Sequence, residues 1–357
     1  MERAELLRLF EKVSYKMQHL DNETGVNEIC PISIIDMDTW EWAQGVGLYG
    51  MQKYYGETGK QEVLDYLIQW FDANIRKGLP EKNVNTMCPL LTLTYVYEYT
   101  KNSIYLEICK EWAEWVMKKM PRTEEMGLQH IVSGVENPGQ IWIDTLFMTV
   151  LFIARMGKLL GREDYLAESV RQFLFHIKYL TDKKTGLFNH GFDFNGRHSF
   201  GEIQWARGNS WYTAGVVDYL DILGDEDTGV KWFLLDTLCG QIKALEQYQN
   251  RNGMWHTLII DPESYVEASA TAGFAYGILK AVRLGYISEK YRECGIKGMK
   301  AIIERISEDG TVTEVSYGTA VSDCQQKYRD VPICPMTYGQ ALTLLLLTEA
   351  LKLEVNS

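Results

Sequence analysis

Residues 142–154 read Trp142-Ile143-Asp144-Thr145-Leu146-Phe147-Met148-Thr149-Val150-Leu151-Phe152-Ile153-Ala154, which leaves almost no polar face at helical spacing. A helix that is apolar on every side is buried on every side. Six segments share this character and open with small, aromatic or polar residues: 40–55, 83–99, 140–160, 207–223, 268–284 and 335–353. The sequence therefore predicts six helices without a face in water.

Six amphipathic helices alternate with these segments. Their apolar positions recur among Lys, Glu and Arg in residues 2–20, 61–77, 103–119, 163–180, 229–249 and 288–306, which suits a layer with one face in water. Six pairs predict an inner ring of helices inside an outer ring, an all-α (α/α)6 barrel in which residues 1–357 form a single domain. An open solenoid is the alternative, but it needs polar capping repeats and no fully buried set.

The composition limits the classes of partner. The chain has 357 residues, 46% of them hydrophobic, with 48 Asp and Glu against 36 Lys and Arg, so its formal net charge is −12. The apolar fraction excludes a disordered chain, and an acidic surface repels nucleic-acid phosphates and anionic lipid. No apolar run approaches the roughly 18 residues of a membrane span. We therefore expect neither a nucleic-acid nor a membrane partner.

Cysteine and histidine patterns bear on location and cofactors. The seven cysteines form no Cys-x-x-Cys pair, and the charged N-terminus lacks the apolar region of a signal peptide. These features predict reduced thiols and a cytoplasmic location. Because neither a metal-binding histidine motif nor a phosphate-binding glycine motif occurs, we expect no metal and no cofactor.

The predicted inner helices open with side chains that suit a sugar. Three long connections, residues 121–139, 181–206 and 309–334, precede inner helices and therefore gather at one end of the ring. That end collects aromatic, amide and hydroxyl groups, among them Trp40, Trp42, Gln44, Asn83, Asn85, Gln140, Trp142, Asn209, Trp211, Tyr338 and Gln340. Sugar C–H faces stack on aromatic rings, and sugar hydroxyl groups need paired donors and acceptors. For any single tryptophan, an ordinary core position is the alternative.

Asp144 is the most informative polar residue, because an unpaired carboxylate on an apolar helix is costly. It either has partners, such as a neighbouring loop that it caps, or does chemistry. We expect burial to raise its pKa towards that of a proton donor, whereas a helix N-terminus would lower it. The guanidinium group of Arg207 can donate to both oxygens of a sugar carboxylate. The alternative is that Arg207 pairs with an acidic side chain of the protein, which is common. His130 and His190 lie in mouth loops and are candidates for binding.

At these residues the sequence resembles glycoside hydrolase family 105, the unsaturated rhamnogalacturonyl hydrolases. The resemblance rests on Trp40-Glu41-Trp42-Ala43-Gln44-Gly45, Gln140-Ile141-Trp142-Ile143-Asp144-Thr145-Leu146-Phe147-Met148, His190-Gly191, Arg207-Gly208-Asn209-Ser210-Trp211 and Pro335-Met336-Thr337-Tyr338-Gly339-Gln340-Ala341. The Trp-x-Asp-Thr-Leu-Phe-Met and Arg-Gly-Asn-Ser-Trp motifs are specific in combination. The family fold is the (α/α)6 barrel, in agreement with the helix count.

The resemblance implies an unusual hydrolysis. Pectin lyases leave a uronic acid with a C4=C5 double bond at the non-reducing end, and enzymes of this family remove it by hydrating that bond. The resemblance implies that Asp144 protonates C4 and helps water attack C5. It also implies a small anionic disaccharide or oligosaccharide as substrate, contacted by His190, Arg207, Trp211, Trp42, Met87 and His130.

Three alternatives make different predictions. An unsaturated glucuronyl hydrolase of the related family 88, acting on glycosaminoglycan or ulvan fragments, would carry a second aspartate at the mouth of the second inner helix, where residues 83–88 contain none. A non-catalytic peptide-binding scaffold would have mostly charged ring mouths and no carboxylate in the cup. A sugar epimerase would need paired histidines at two inner-helix mouths, and none occurs on those helices.

Overall fold

Twelve helices of ten or more residues dominate the described chain. The computed structural model describes residues 2–22, 25–29, 33–224 and 227–355. The inner helices are Trp42–Thr58, Cys88–Thr100, Leu151–Leu160, Ala206–Leu223, Ala268–Arg283 and Thr337–Val355. The outer helices are Arg3–Gln18, Gln61–Lys77, Ser103–Lys118, Glu163–Leu180, Gly229–Tyr248 and Arg292–Ile303. Every one of them lies within or close to a predicted segment.

The inner helices form a closed ring. Each packs against the next along the chain, and the sixth packs against the first. Each outer helix packs against the inner helix that precedes it, except that the first outer helix, Arg3–Gln18, packs against the sixth inner helix. Helices from the two ends of the described chain therefore meet. The (α/α)6 barrel is confirmed, and the open solenoid is excluded because its end helices would lie far apart.

Burial separates the two sets of helices. The first inner helix buries side chains on every side, including the amide of Gln44, whereas the outer helix Gln61–Lys77 buries a single stripe. Glycine brings inner helices together, because a Cβ atom on Gly45 would lie 2.6 Å from the backbone nitrogen of Pro89. None of the helices in the described ranges combines the length and the apolar character needed to cross a membrane.

The connections differ at the two ends of the ring. Turns from inner to outer helices are short, and Gly59 and Gly161 end the first and third inner helices with φ angles of 67° and 64°, which glycine adopts without strain. Connections from outer to inner helices are mostly long. Backbone hydrogen bonds join several of them: the Ala206 amide donates to the Thr257 carbonyl at 2.8 Å. The site described below lies among these long loops.

The third inner helix begins later than predicted. Residues Gln140–Trp142 form a strand antiparallel to Gly191–Asp193, and the Ile143 amide extends the pairing by donating to the His190 carbonyl at 3.1 Å. A π-helical turn, Leu146–Val150, then leads into the α-helix. The prediction of a helix from residue 140 is wrong at its start, because hydrogen bonds to the neighbouring loop occupy backbone groups that a helix would use.

Candidate active site

A cavity of about 270 Å³ opens where the inner helices begin. Its wall combines helix starts with loop residues: Ser33, Trp42, Asn85, His130, Val132, Val135, Asn137, Gln140, Trp142, Asp144, Met148, Phe200, Trp205, Arg207, Gly318, Thr319, Ala320 and Val321. Among these described wall residues, Asp144 carries the only carboxyl group and Arg207 the only guanidinium. Of the aromatic and polar residues predicted to form a sugar-binding end, the described wall contains Trp42, Asn85, Gln140 and Trp142 and does not contain Trp40, Gln44, Asn83, Asn209, Trp211, Tyr338 or Gln340.

Asp144 lies at the junction between the strand Gln140–Trp142 and the π-helical turn. Its carbonyl oxygen accepts from the amides of Phe147 and Met148, both at 3.1 Å, which fixes the backbone as the first helical turn. The side chain is 16% exposed, and its Oδ2 lies 3.6 Å from Nε2 of His190. That separation is slightly longer than a hydrogen bond, so a small movement would make one.

Two imidazole rings control the charge of Asp144. Burial acts to raise the pKa of this carboxyl group, but His190, followed by His130 and the backbone N–H of Asp144, outweighs burial and holds the pKa below its ordinary value. Burial lowers the pKa of His130 to about 3, although the charge of Asp144 opposes that shift. The expectation of a raised pKa for Asp144 is therefore wrong for the protein alone, in which the group is ionised at neutral pH.

Both predicted histidines are held by aromatic rings beside Asp144. His130 stacks on Trp142 with a centroid distance of 4.2 Å. His190 lies against Trp205, also at 4.2 Å, and its side chain is 1% exposed. The rings restrict both imidazoles: Nδ1 of His130 lies 3.0 Å from Oγ1 of Thr145, whereas Nε2 of His190 faces the carboxylate.

Arg207 supports the loop that forms one wall of the cavity. Its guanidinium lies between the rings of Trp205 and Tyr338, 4.7 and 4.6 Å from their centroids. It donates to Oγ of Ser316 at 2.8 Å and to the carbonyl of Tyr317 at 2.7 Å. Much of its donor capacity is thus used within the protein, and binding of a sugar carboxylate by Arg207 stays a prediction.

Glu267 balances the charge of Arg207. Nη1 of Arg207 lies 3.6 Å from Oε1 of Glu267, and each side chain is 1% exposed. Glu267 also accepts from the amide of Ala270 at 2.7 Å, where it caps the fifth inner helix, and from the amide of Ser316 at 3.0 Å. The acidic partner considered from the sequence is therefore present, and one carboxylate joins a helix start, a cation and the wall loop.

The remaining predicted contacts lie at different depths. Trp42 lines the cavity. Trp211 is fully buried behind it, edge-on at 5.9 Å between ring centroids. Met87 is also fully buried, and the methionine among the described wall residues is Met148. Substrate contacts of Trp211 and Met87 stay predictions, and neither side chain lines the wall.

Glu41, the acidic residue of the first motif, caps a helix. It accepts from the amide of Trp42 at 3.0 Å and from Oγ of Ser133 at 3.3 Å. Burial is the largest influence on the pKa of Glu41 and raises it. Glu41 is not a wall residue. In the ranges that the structure describes, no group of three or more His, Cys, Asp or Glu side chains could hold a metal ion.

Sequence reasoning missed several parts of the site, among them Trp205, residues 318–321 and Tyr328. The first two line the cavity, and the hydroxyl oxygen of Tyr328 lies 2.8 Å from Nδ1 of His190. Trp205 stands two positions before Arg207, so the motif could have been extended to include it. The other two lie in a long loop, where no periodicity indicates which side chains point inwards.

Known proteins are similar to this chain over most of its length. A family model, Glycosyl Hydrolase Family 88, matches residues 11–354. The chain is 36% identical over 317 residues to Unsaturated rhamnogalacturonyl hydrolase YesR of Bacillus subtilis (strain 168), covering 88% of this chain and 90% of that protein.

Solved structures show the same architecture. A crystal structure described as a possible member of GH105 family from Salmonella enterica superposes with a TM-score of 0.95 at 44% identity, covering 99% of this chain and 95% of that chain. The Unsaturated Glucuronyl Hydrolase of Bacillus sp. GL1 shares the fold at 17% identity and a TM-score of 0.69, covering 87% of this chain and 86% of that chain. The chain belongs to glycoside hydrolase family 105, within the wider group that the Family 88 model describes.

Proposed function

We propose that this chain removes the unsaturated galacturonyl residue from the non-reducing end of rhamnogalacturonan-lyase products, which are small anionic disaccharides or oligosaccharides. One observation carries the proposal: among the described wall residues of the cavity, Asp144 has the only carboxyl group. The activity in the name of the relative YesR supports the choice of substrate.

A single carboxyl group suits hydration of a double bond better than ordinary glycoside hydrolysis. Most glycosidases use two carboxyl groups on either side of the scissile bond, about 5–9.5 Å apart. The acidic side chain of the neighbouring motif, Glu41, is committed to a helix cap outside the wall. An enol ether needs only one proton donor, and the same group can then accept a proton from water.

The reaction balances with one water molecule and one side chain. The Asp144 carboxyl group gives its proton to C4, and the ring oxygen stabilises the cation that forms at C5. Water attacks C5 and loses a proton to the Asp144 carboxylate, which restores the acid. The resulting hemiketal opens by breaking its C5–ring-oxygen bond. The hemiacetal left at C1 then breaks down and releases the next sugar.

Substrate binding provides a reason for Asp144 to become an acid. The pKa of Asp144 is low in the protein alone because two imidazoles favour the carboxylate. The substrate carboxylate brings a second negative charge and displaces water, and both effects raise the pKa of a neighbouring carboxyl group. We infer that Asp144 takes up its proton when the substrate enters the cavity.

The experiment is loss of the ultraviolet absorbance of the conjugated double bond, measured on unsaturated galacturonyl-rhamnose and on an unsaturated glucuronyl disaccharide. We expect turnover of the first. Asp144→Asn should abolish turnover and leave the melting temperature nearly unchanged. Asp193→Asn is the matched control, because Asp193 accepts from the Gly196 amide and lies outside the wall. Activity of Asp144→Asn above a small fraction, or turnover of the glucuronyl substrate alone, would overturn the proposal.

Two further expectations belong to this proposal. Residues 1–357 are taken as one catalytic domain, which is supported by the packing of the outer helix Arg3–Gln18 against the sixth inner helix. A cytoplasmic location is supported by the seven scattered cysteines, which form no Cys-x-x-Cys pair. Cell fractionation tests the location, and limited proteolysis that released a stable fragment would contradict the single domain.

A further inference from the structure

Tyr328 reaches the active site from behind His190. It lies on the short helix Gln325–Arg329, and it is 1% exposed in an apolar cluster that includes Trp205. Its hydroxyl oxygen lies 2.8 Å from Nδ1 of His190 and accepts from the amide of Ser322 at 3.1 Å. A buried tyrosine thus contacts the histidine that faces the candidate catalytic carboxylate.

The charges around His190 determine how this hydrogen bond is directed. A neutral imidazole carries one proton, on Nδ1 or on Nε2. With the proton on Nδ1, the Nε2 lone pair would face the Asp144 carboxylate at 3.6 Å, which is repulsive. With the proton on Nε2, the N–H points at the carboxylate, and Nδ1 is free to accept from Tyr328. The Ser322 amide already donates to the phenol oxygen, so the phenol proton is free to be donated.

We propose that Tyr328 is a positioning residue that donates to Nδ1 of His190, fixes the Nε2–H tautomer and so directs that N–H at Asp144. The inference rests on the proposed role of Asp144 and adds a residue to it. In this arrangement Oδ2 of Asp144 faces His190, so Oδ1 is left to carry the proton exchanged with the substrate.

The helix that carries Tyr328 is anchored independently of His190. Arg329 makes an ion pair with Asp261 at 2.7 Å, and the hydroxyl of Tyr265 donates to the Tyr328 carbonyl at 3.3 Å. These contacts hold the backbone without touching the imidazole. Removal of the Tyr328 hydroxyl group can therefore be separated from general loosening of the loop.

The test compares Tyr328→Phe, which removes the hydroxyl group beside His190, with Tyr265→Phe, which removes the hydroxyl group that donates to the Tyr328 carbonyl. For Tyr328→Phe we expect kcat to fall roughly 10-fold to 100-fold with KM unchanged, because a misdirected group costs rate rather than binding. Losing the directed N–H also raises the pKa of Asp144 in the complex, so the alkaline limb of kcat should move to higher pH. His130, whose charge interaction also lowers the pKa of Asp144, is unchanged in both variants. Tyr265→Phe should keep the parent kcat and pH profile.

A second measurement needs no variant of Tyr328. The protein has six histidines, so ¹⁵N-histidine labelling, with His190 assigned from His190→Gln, reports which ring nitrogen carries the proton at mildly alkaline pH. We expect the proton on Nε2 in the parent. A proton on Nδ1, or Tyr328→Phe with parent kcat and tautomer, would overturn the inference. Measuring Asp144→Asn alongside distinguishes the failures: if that variant is active, the proposed function fails as well.

Discussion

Replacing Glu267 by glutamine tests how the cavity wall is held. The substitution keeps the shape of the side chain but leaves the guanidinium of Arg207 buried without its counter-charge at 3.6 Å. Breaking a buried pair on one side costs about 3–5 kcal/mol of unfolding free energy. Loss of the helix cap, worth about 1 kcal/mol alone, involves the same group and does not add fully. We therefore expect a total loss of about 3–5 kcal/mol.

The same substitution should weaken substrate binding. The side-chain NH2 group of glutamine cannot accept a hydrogen bond, so it would face a backbone N–H that now donates to the carboxylate. The Ser316 amide is one of these donors. Because Ser316 leads into residues 318–321 of the wall, KM should rise. Urea unfolding followed by tryptophan fluorescence measures the first effect, and steady-state kinetics the second. Glu263→Gln, at an exposed position four residues earlier, should change the free energy by less than about 0.5 kcal/mol. A similarly small loss for Glu267→Gln, with unchanged KM, would refute the reasoning.

Three further predictions concern stability. Lys280→Met removes an ammonium group 2.5 Å from the fully buried Asp218 but leaves Lys53 at 3.0 Å from the same carboxylate. The charge stays partly compensated, so urea unfolding should show a loss of about 1.5–3 kcal/mol, the range for a lost hydrogen bond to a charged group. Gly45→Ala should lower the melting temperature because its Cβ would lie 2.6 Å from backbone, whereas Gly56→Ala, with nothing within 4 Å, should raise the stability by about 0.5–1 kcal/mol. Burial lowers the pKa of His176 to about 4, so below about pH 6.5 the unfolded chain binds a proton that the folded chain does not. The free energy of unfolding should therefore decrease as the pH falls from about 6.5 to about 4. His176→Gln should reduce this decrease, measured as urea midpoints over a pH series.

The helices were predictable because the spacing of apolar residues along the sequence indicates which helix faces are buried. A helix apolar on every side has one stable place in a two-layer ring, so the inner and outer sets could be assigned before any contact was known. The third inner helix ends at Leu160 as predicted, and the glycine that follows it, Gly161, adopts a left-handed turn. Residues 140–142 escaped prediction because their neighbours in the sequence resemble a helix start, whereas their hydrogen-bond partners lie fifty residues away at Gly191–Asp193.

A site residue was predictable only where its side chain differs in polarity from its neighbours in the sequence. Asp144 stood out as a charge in an apolar run, and the structure places it in the cavity wall. Its lowered pKa could not be inferred, because His190 and His130 come from two separate loops. Arg207 was visible as a cation, but its pairing with Glu267 depends on how the fifth inner helix approaches the fourth. Tyr328 had no motif to mark it.

The charges in the wall suggest that substrate and proton enter the site together. Asp144 and Arg207 are the ionised side chains that we find in the described wall, and Glu267 neutralises the second of them. Burial also keeps His130 uncharged near neutral pH, because its pKa is about 3. A substrate carboxylate would therefore meet a site dominated by the negative charge of Asp144, inside a chain of net charge −12. Protonation of Asp144 removes that repulsion, so binding of the anion and uptake of a proton favour each other by linkage. In the proposed mechanism, the proton taken up with the substrate is the one given to C4, so a carboxyl group with a low resting pKa can act as the acid.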